Sequence, residues 1–282
     1  MRHGPAVRRR KLGEELRRLR DRAGLTSPEA ARLVGWHQSK VSRIETGRSG
    51  ARPQDVALLL EVYGVREPQL RQLLEALAEN CGESGSRWWH AYRGLLPPQY
   101  RDFISLESQA CAARTLETTV MPGLLQTPEY ARAVTRVMLP ALSEQKLDTL
   151  VEVRLARQEV LRADSPLALS VVLDEAVLRR AVGGERVMKE QLRHLLEMAD
   201  LPHIRLQVLP LGAGAHAGLT GAFVIFSFPN IADLDVVVID HLASSLYLER
   251  KEDLTEYTAA FQRIQAQALP HKDSLDVIAG IR

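Results

Sequence analysis

An all-α head followed by an α+β C-terminal domain is the fold class that this 282-residue sequence predicts. Three observations predict it. Up to Asn80 the apolar residues recur at helical spacing, and no stretch alternates as a half-buried strand does. Beyond Leu167, runs rich in Val, Ile and Leu appear between helical stretches, the order expected of an α+β domain. The charge divides in the same way. Met1 to Arg52 holds fourteen Lys and Arg against five Asp and Glu, net +9, whereas Pro53 to Arg282 carries −7. The length suits about two domains. Residues 1–80 are assigned to the head, 81–86 (CGESGS) to a linker, and 87–282 to the body.

In the head, Leu12, Leu16 and Leu19 fall at i, i+4 and i+7, so Lys11 to Ala23 reads as a helix that Gly24 stops. LTSPEAARLVG follows. Thr26 caps a second helix, Glu29 completes a capping box, and Pro28 suits the first turn. Gly35 supplies a tight turn, and a third helix runs from near His37 to about Glu45. Two short helices joined by a tight Gly turn form a helix-turn-helix. Ala31 is small where the pair must approach closely, and Val34, Val41 and Ile44 supply a shared core. The outer face of the third helix carries Gln38, Ser39, Ser42 and Arg43, side chains that suit base edges. Residues 53–64 read as a fourth helix with Val56, Leu59, Leu60 and Tyr63 on one face, and Glu67 to Asn80 as a fifth.

LGEELRRLRDRAGLTSPEAARLVGWHQSKVSRIETG resembles the helix-turn-helix domain of the lambda repressor and Cro superfamily, the XRE family. The resemblance covers roughly Lys11 to Val65. It implies that Gln38, Ser39, Ser42 and Arg43 enter the major groove and that Ser27 meets a phosphate. It also implies that Arg20 and Glu45 form a structural pair, and that the loop holding Arg48 and Arg52 lies along the DNA backbone. Lys40 is a further cation for phosphate. Trp36 and His37 depart from the family pattern, as does Ala30 where Leu is common and Leu33 where a polar residue is common. The implied partner is double-stranded DNA, read by a homodimer on a pseudo-palindromic operator.

The body opens on RWWHAYRGLLPPQY, where Trp88 and Trp89 cluster. Packing accounts for such a cluster, and a ligand or partner contact is the sharper alternative. Gln99 to Thr115 reads as an amphipathic helix, Thr127-Pro128-Glu129 opens another to about Met138, and Ser143 caps a long one to about Arg162. Leu167 to Asp174 is a strand, Asp174 caps a short helix, Gly183-Gly184 turns, and Glu185 to Ala199 is helical. HIRLQVLP, GAFVIFSF, LDVVVID and SSLYLE read as strands. Asp253 to Leu269 and Ser274 to Ile281 close the chain as helices.

Chemistry-bearing motifs are sparse. LGAGAHAGLTG is Gly-rich, yet it is neither G-x-G-x-x-G opening a helix nor a P-loop. It reads as a hairpin loop in which His216 is a candidate ligand contact. An enzyme carried to DNA, a small-molecule hydrolase for instance, would draw on Asp174, Glu175, His216, Asp240 and His241. No Ser or Cys elbow accompanies them, and no Cys/His spacing supports a metal. No metal and no cofactor are therefore assigned. The two cysteines, Cys81 and Cys111, form no C-x-x-C pair. No apolar run approaches the ~18 residues of a membrane span, and the basic N-terminus has no apolar h-region. A cytoplasmic, nucleoid-associated protein is expected.

TTVMPGLLQTPEYARAV, RLARQEVL, DEAVLRRAVGG, QLRHLLEMAD and LQVLPLGAGAHAGLTGAFVIFSF resemble the domain of uncharacterised function that follows an XRE-type head in many actinobacterial regulators, the WhiJ-like group. The resemblance spans most of Arg87 to Ile281. It implies an antitoxin-like regulator whose body binds a short partner protein encoded nearby, a small-molecule signal, or both.

Overall fold

The computed structural model describes residues 4–79, 89, 92, 94–228, 235–241 and 244–281. These fall into two compact units, one reaching Gln109 and the other starting at Ala110. The expected linker at 81–86 lies outside the described residues.

The first unit is all helical: α1 (Gly4–Arg22), α2 (Ser27–Leu33), α3 (Gln38–Glu45), α4 (Pro53–Val62), α5 (Pro68–Glu79) and α6 (Pro98–Glu107). Helix α1 begins at Gly4 and not at Lys11, whereas the caps and turns that follow it are satisfied as read. Glu29 N–H donates to Thr26 Oγ1 at 3.4 Å and Thr26 N–H donates to Glu29 Oε2 at 2.8 Å, so the capping box is closed. Gly35 takes φ +72° in the turn, a conformation that a Cβ disfavours. Leu12, Leu16, Ala30, Ala31, Val41, Ile44, Val56, Leu59 and Leu60 are buried together. Leu33 is not part of that core; it is 59% exposed at the end of α2.

Helix α1 crosses α3 at very close range. A Cβ on Gly13 would lie 2.4 Å from the carbonyl oxygen of Ile44 and 2.6 Å from that of Glu45. Only a residue without a side chain lets the two backbones meet there.

The second unit is α+β. A six-stranded sheet has the order β3-β2-β1-β4-β5-β6, with β1 (Ala112–Glu117), β2 (Ala168–Asp174), β3 (Ile204–Leu209), β4 (Phe223–Ser227), β5 (Val236–Asp240) and β6 (Ser245–Leu248). The first three strands are mutually parallel; β4, β5 and β6 are added antiparallel, each to its neighbour. The helices are α7 (Pro128–Met138), α8 (Glu144–Arg157), α9 (Glu175–Arg179), α10 (Glu185–Ala199), α11 (Lys251–Gln267) and α12 (His271–Gly280). Leu116, Val172, Phe223, Ile225, Phe261 and Ile264 share one core, which places α11 on the sheet.

Two expectations are overturned. The Gly-rich stretch at 211–221, with His216, is not a hairpin loop, because β2 and β1 separate β3 from β4 in the sheet. Gln99 to Thr115 is not a single helix: α6 ends at Glu107, and Ala112 begins a strand. Ala, Arg, Leu and Glu favour helix locally. Strand β1, however, pairs with β2 on one edge and β4 on the other, so tertiary hydrogen bonding outweighs propensity. Ser143 occupies the N-cap of α8 but makes no side-chain cap bond, whereas Thr127 caps α7 by accepting from Tyr130 N–H at 3.3 Å.

The segment after β1 has no sheet partner, and buried amides satisfy it instead. Gln191, fully buried, donates to Leu125 O at 2.6 Å and accepts from Thr127 N–H at 2.8 Å. Gln158 donates to Gln126 O at 2.8 Å, and Gln126 donates to Met121 O at 2.7 Å. The PGLLQTPEY stretch is thus a backbone clamped by side chains.

Two substitutions test this packing. Gly13→Ala should destabilise the first unit by about 1–3 kcal/mol, because neither carbonyl belongs to a flexible side chain. Gln191→Ala should cost on the order of 3 kcal/mol by leaving two buried backbone groups unpaired. Urea unfolding measures both, and wild-type midpoints would contradict them.

Candidate nucleic-acid interface

Helix α3 starts at Gln38, with His37 as its N-cap. Nδ1 of His37 accepts from Ser39 N–H at 3.3 Å and lies 2.8 Å from Ser39 Oγ. The departure at His37 therefore keeps the helix start and changes only the chemistry of the cap. Val41, Ile44 and Glu45 face inward. Gln38, Ser39 and Arg43 are exposed and Ser42 is half-buried, so the four expected base-reading residues share one outer face. Arg43 Nε bonds back to Ser39 O at 3.2 Å.

Beneath that face lies a buried ion pair. Arg20 Nε donates to Glu45 Oε1 at 2.7 Å and Arg20 Nη2 to Glu45 Oε2 at 3.0 Å, with 9% and 5% of the two side chains exposed. Arg20 Nη1 also donates to Leu25 O at 2.7 Å and to Asp21 Oδ1 at 2.7 Å. Tyr63 Oη–H reaches Glu45 Oε1 at 3.4 Å. The Glu45 hydrogen bond holds the Arg20 pKa above its ordinary value, and burial followed by the nearby Glu45 charge pushes Tyr63 up. The carboxylate thereby ties α1 and the end of α4 to the last residue of α3.

The phosphate candidates differ among themselves. Arg48 and Arg52 are exposed and have no ion pair among the described residues. Lys40 is engaged twice: its Nζ lies 2.8 Å from Asp55 Oδ1 and 3.5 Å from the centroid of the Trp36 ring. Ser27 Oγ is buried without a hydrogen-bond partner among the described residues. The Trp36–Lys40–Asp55 cluster was not legible in the sequence, because Asp55 is fifteen residues away and reads there only as a first-turn acid.

Trp89, in the first unit, is buried, and Trp88 lies outside the described residues. Glu117, Asp174 and Asp240 end β1, β2 and β5 at one end of the sheet, since β5 runs parallel to β1. His216 Nε2 lies 3.9 Å from Asp174 Oδ2. Three of the candidates already have a structural partner. Asp174 caps α9 through Ala176 N–H at 2.8 Å, and Glu175 accepts from Leu211 N–H at 2.9 Å. His216 Nδ1 accepts from Gly218 N–H at 3.2 Å. His241 is exposed and its N–H closes a turn to Ser244 O. No group of three metal-binding side chains occurs among the described residues. Glu117 carries no signal in the sequence; burial and then Asp240 raise its carboxyl from 4.5 to about 8, against the hydrogen bond from Thr115.

Residues 100–280, more than half of the chain, match a family described as a domain of unknown function (DUF5753). The chain belongs to the DUF5753 family. Its residues 11–74 match a second family, described as a helix-turn-helix domain. No curated protein and no solved structure matches the chain. This DUF5753 protein is therefore a DNA-binding regulator by its head, an all-α helix-turn-helix domain followed by an α+β domain. No described helix is long and apolar enough to cross a membrane.

Two measurements test the electrostatics. Glu45→Ala leaves Arg20 buried without its carboxylate and should cost about 3–5 kcal/mol, read by thermal unfolding; a cost under about 1 kcal/mol would show the pair to be solvated. For Glu117 the folded-state value lies above the unfolded one, so its contribution is fully present below pH 4.5 and fades as pH rises to about 8. Glu117→Gln should therefore gain stability over the wild type by a margin that widens across that window and is constant above it. Urea unfolding at several pH values measures the margin, and one independent of pH would contradict the upward shift of the acid.

Proposed function

We propose that the chain is a sequence-specific transcription regulator that binds a pseudo-palindromic operator as a homodimer. The observation that carries this reading is the outward-facing row Gln38, Ser39, Ser42 and Arg43 on a helix whose inner face is fixed by the buried Arg20–Glu45 pair. Gln suits adenine and Arg suits guanine, each through two hydrogen bonds in the major groove. Arg48 and Arg52 supply phosphate contacts that position without specifying. A single head makes few contacts, so two-fold pairing is required for a useful affinity.

The DUF5753 domain acts as the receiving half. It binds a short partner protein or a small-molecule signal, in the manner of an antitoxin-like regulator, and works in the cytoplasm beside the nucleoid. No catalytic step belongs to this reading, because Asp174, Glu175 and His216 are already engaged in holding the loops at the end of the sheet.

Selection from a library of random-sequence duplexes tests the reading. The wild-type chain should enrich two related half-sites about one helical turn, or a multiple of it, apart. Replacing Gln38 and Arg43 together by Ala should weaken binding to the enriched site by about 1–3 kcal/mol for each base that is no longer read. Enrichment of no sequence, or an unchanged affinity in the double variant, defeats the assignment of the reading helix.

A further inference from the structure

We propose that Lys40 is a positioning residue of the reading helix and not a phosphate ligand: with Trp36 and Asp55 it braces α3 against α4. The inference rests on the DNA-binding reading above and concerns how the helix is held. Trp36 stands in the turn just before α3, Lys40 lies in the first turn of α3, and Asp55 in the first turn of α4. One ammonium joins all three, at 2.8 Å from Asp55 Oδ1 and 3.5 Å from the Trp36 ring centroid. Asp55 Oδ2 in turn accepts from Arg52 N–H at 3.2 Å. The brace therefore ties the start of α3 to the start of α4 and to Arg52, where the loop that carries Arg48 ends.

Lys40 differs from the phosphate ligands in its partners and in its place on the helix. Its charge is already matched by a carboxylate, so little net field remains for a phosphate. To reach DNA it would have to release Asp55 and leave that carboxylate facing a polyanion. Lys40 also lies about 160° round the helix from Ser42, away from the centre of the reading face. Arg48 and Arg52 have no such carboxylate among the described residues. A cation over an indole is held by the ring as well as by the acid, which resists displacement.

The salt dependence of binding distinguishes a brace from a phosphate ligand. Withdrawing one cation from a phosphate lowers the slope of log K against log salt by about 0.9. With duplexes enriched by the wild-type chain as the probe, Lys40→Met should weaken binding about five- to tenfold between about 50 and 200 mM salt with the slope unchanged. Arg48→Ala, measured alongside, should lower the slope by about 0.9. Asp55→Asn is the second variant and keeps a capping oxygen for Arg52. It should weaken binding, and its effect should vanish in the Lys40→Met background. A slope lowered by Lys40→Met, or tighter binding by Asp55→Asn, overturns the proposal, since a freed phosphate lysine gives both. Failure of the wild type to enrich any duplex is a different outcome and defeats the DNA-binding reading itself.

Discussion

The head is organised around the carboxylate of Glu45. It accepts two hydrogen bonds from Arg20 on α1 and one from Tyr63 at the end of α4, at the last residue of the helix that presents the reading face. A buried ion pair adds little net stability over a well-packed apolar substitute, because desolvation offsets the Coulomb gain. It is, however, directional in a way that apolar packing is not. Two parallel N–H···O bonds fix distance, angle and rotation together. Gly13 makes that geometry reachable by letting the backbone of α1 lie on the carbonyls of Ile44 and Glu45.

Held from behind by Arg20 and from the side by the Lys40 brace, α3 has little freedom left. The residues on its outer face are small or flexible, and their one link to the N-cap runs through Ser39 and His37. Rigid helix and adaptable side chains divide two tasks. In the proposed function the helix sets where the contacts fall, and the side chains choose which bases fit.

The DUF5753 domain solves a different problem. Its central strand β1 is paired on both edges, and the chain leaving it must turn over the end of the sheet without a ladder. Gln126, Gln158 and Gln191 replace the missing ladder with side-chain amides. At the same end Glu117 is desolvated beside Asp240, while Asp174, Glu175 and His216 hold the neighbouring loops. Polar residues that a sequence presents as candidate chemistry are here the means by which irregular backbone is satisfied.

What the sequence by itself determined was local. Helix period placed the core leucines of α1 and the buried face of α4. Caps such as Thr26 with Glu29, Thr127 and Asp174 started helices within three residues of themselves, so their signals lie within one turn. The six contiguous residues from Gln38 to Arg43 already contained the outer face of α3, and kinship with a known fold supplied the Arg20–Glu45 pair. Tertiary structure decided whatever joins distant residues. Strand β1 is made of helix formers except for Thr115 and exists because β2 and β4 flank it. Lys40 reads as one more cation until Asp55, fifteen residues on, takes its charge. Gln191 finds Thr127 sixty-four residues away, and the acid of Glu117 is raised by its surroundings and not by its neighbours in the chain. Periodicity and capping act through adjacent backbone atoms and so leave a trace in short words of sequence. Desolvation and long-range pairing depend on which elements pack together, and no short word records that.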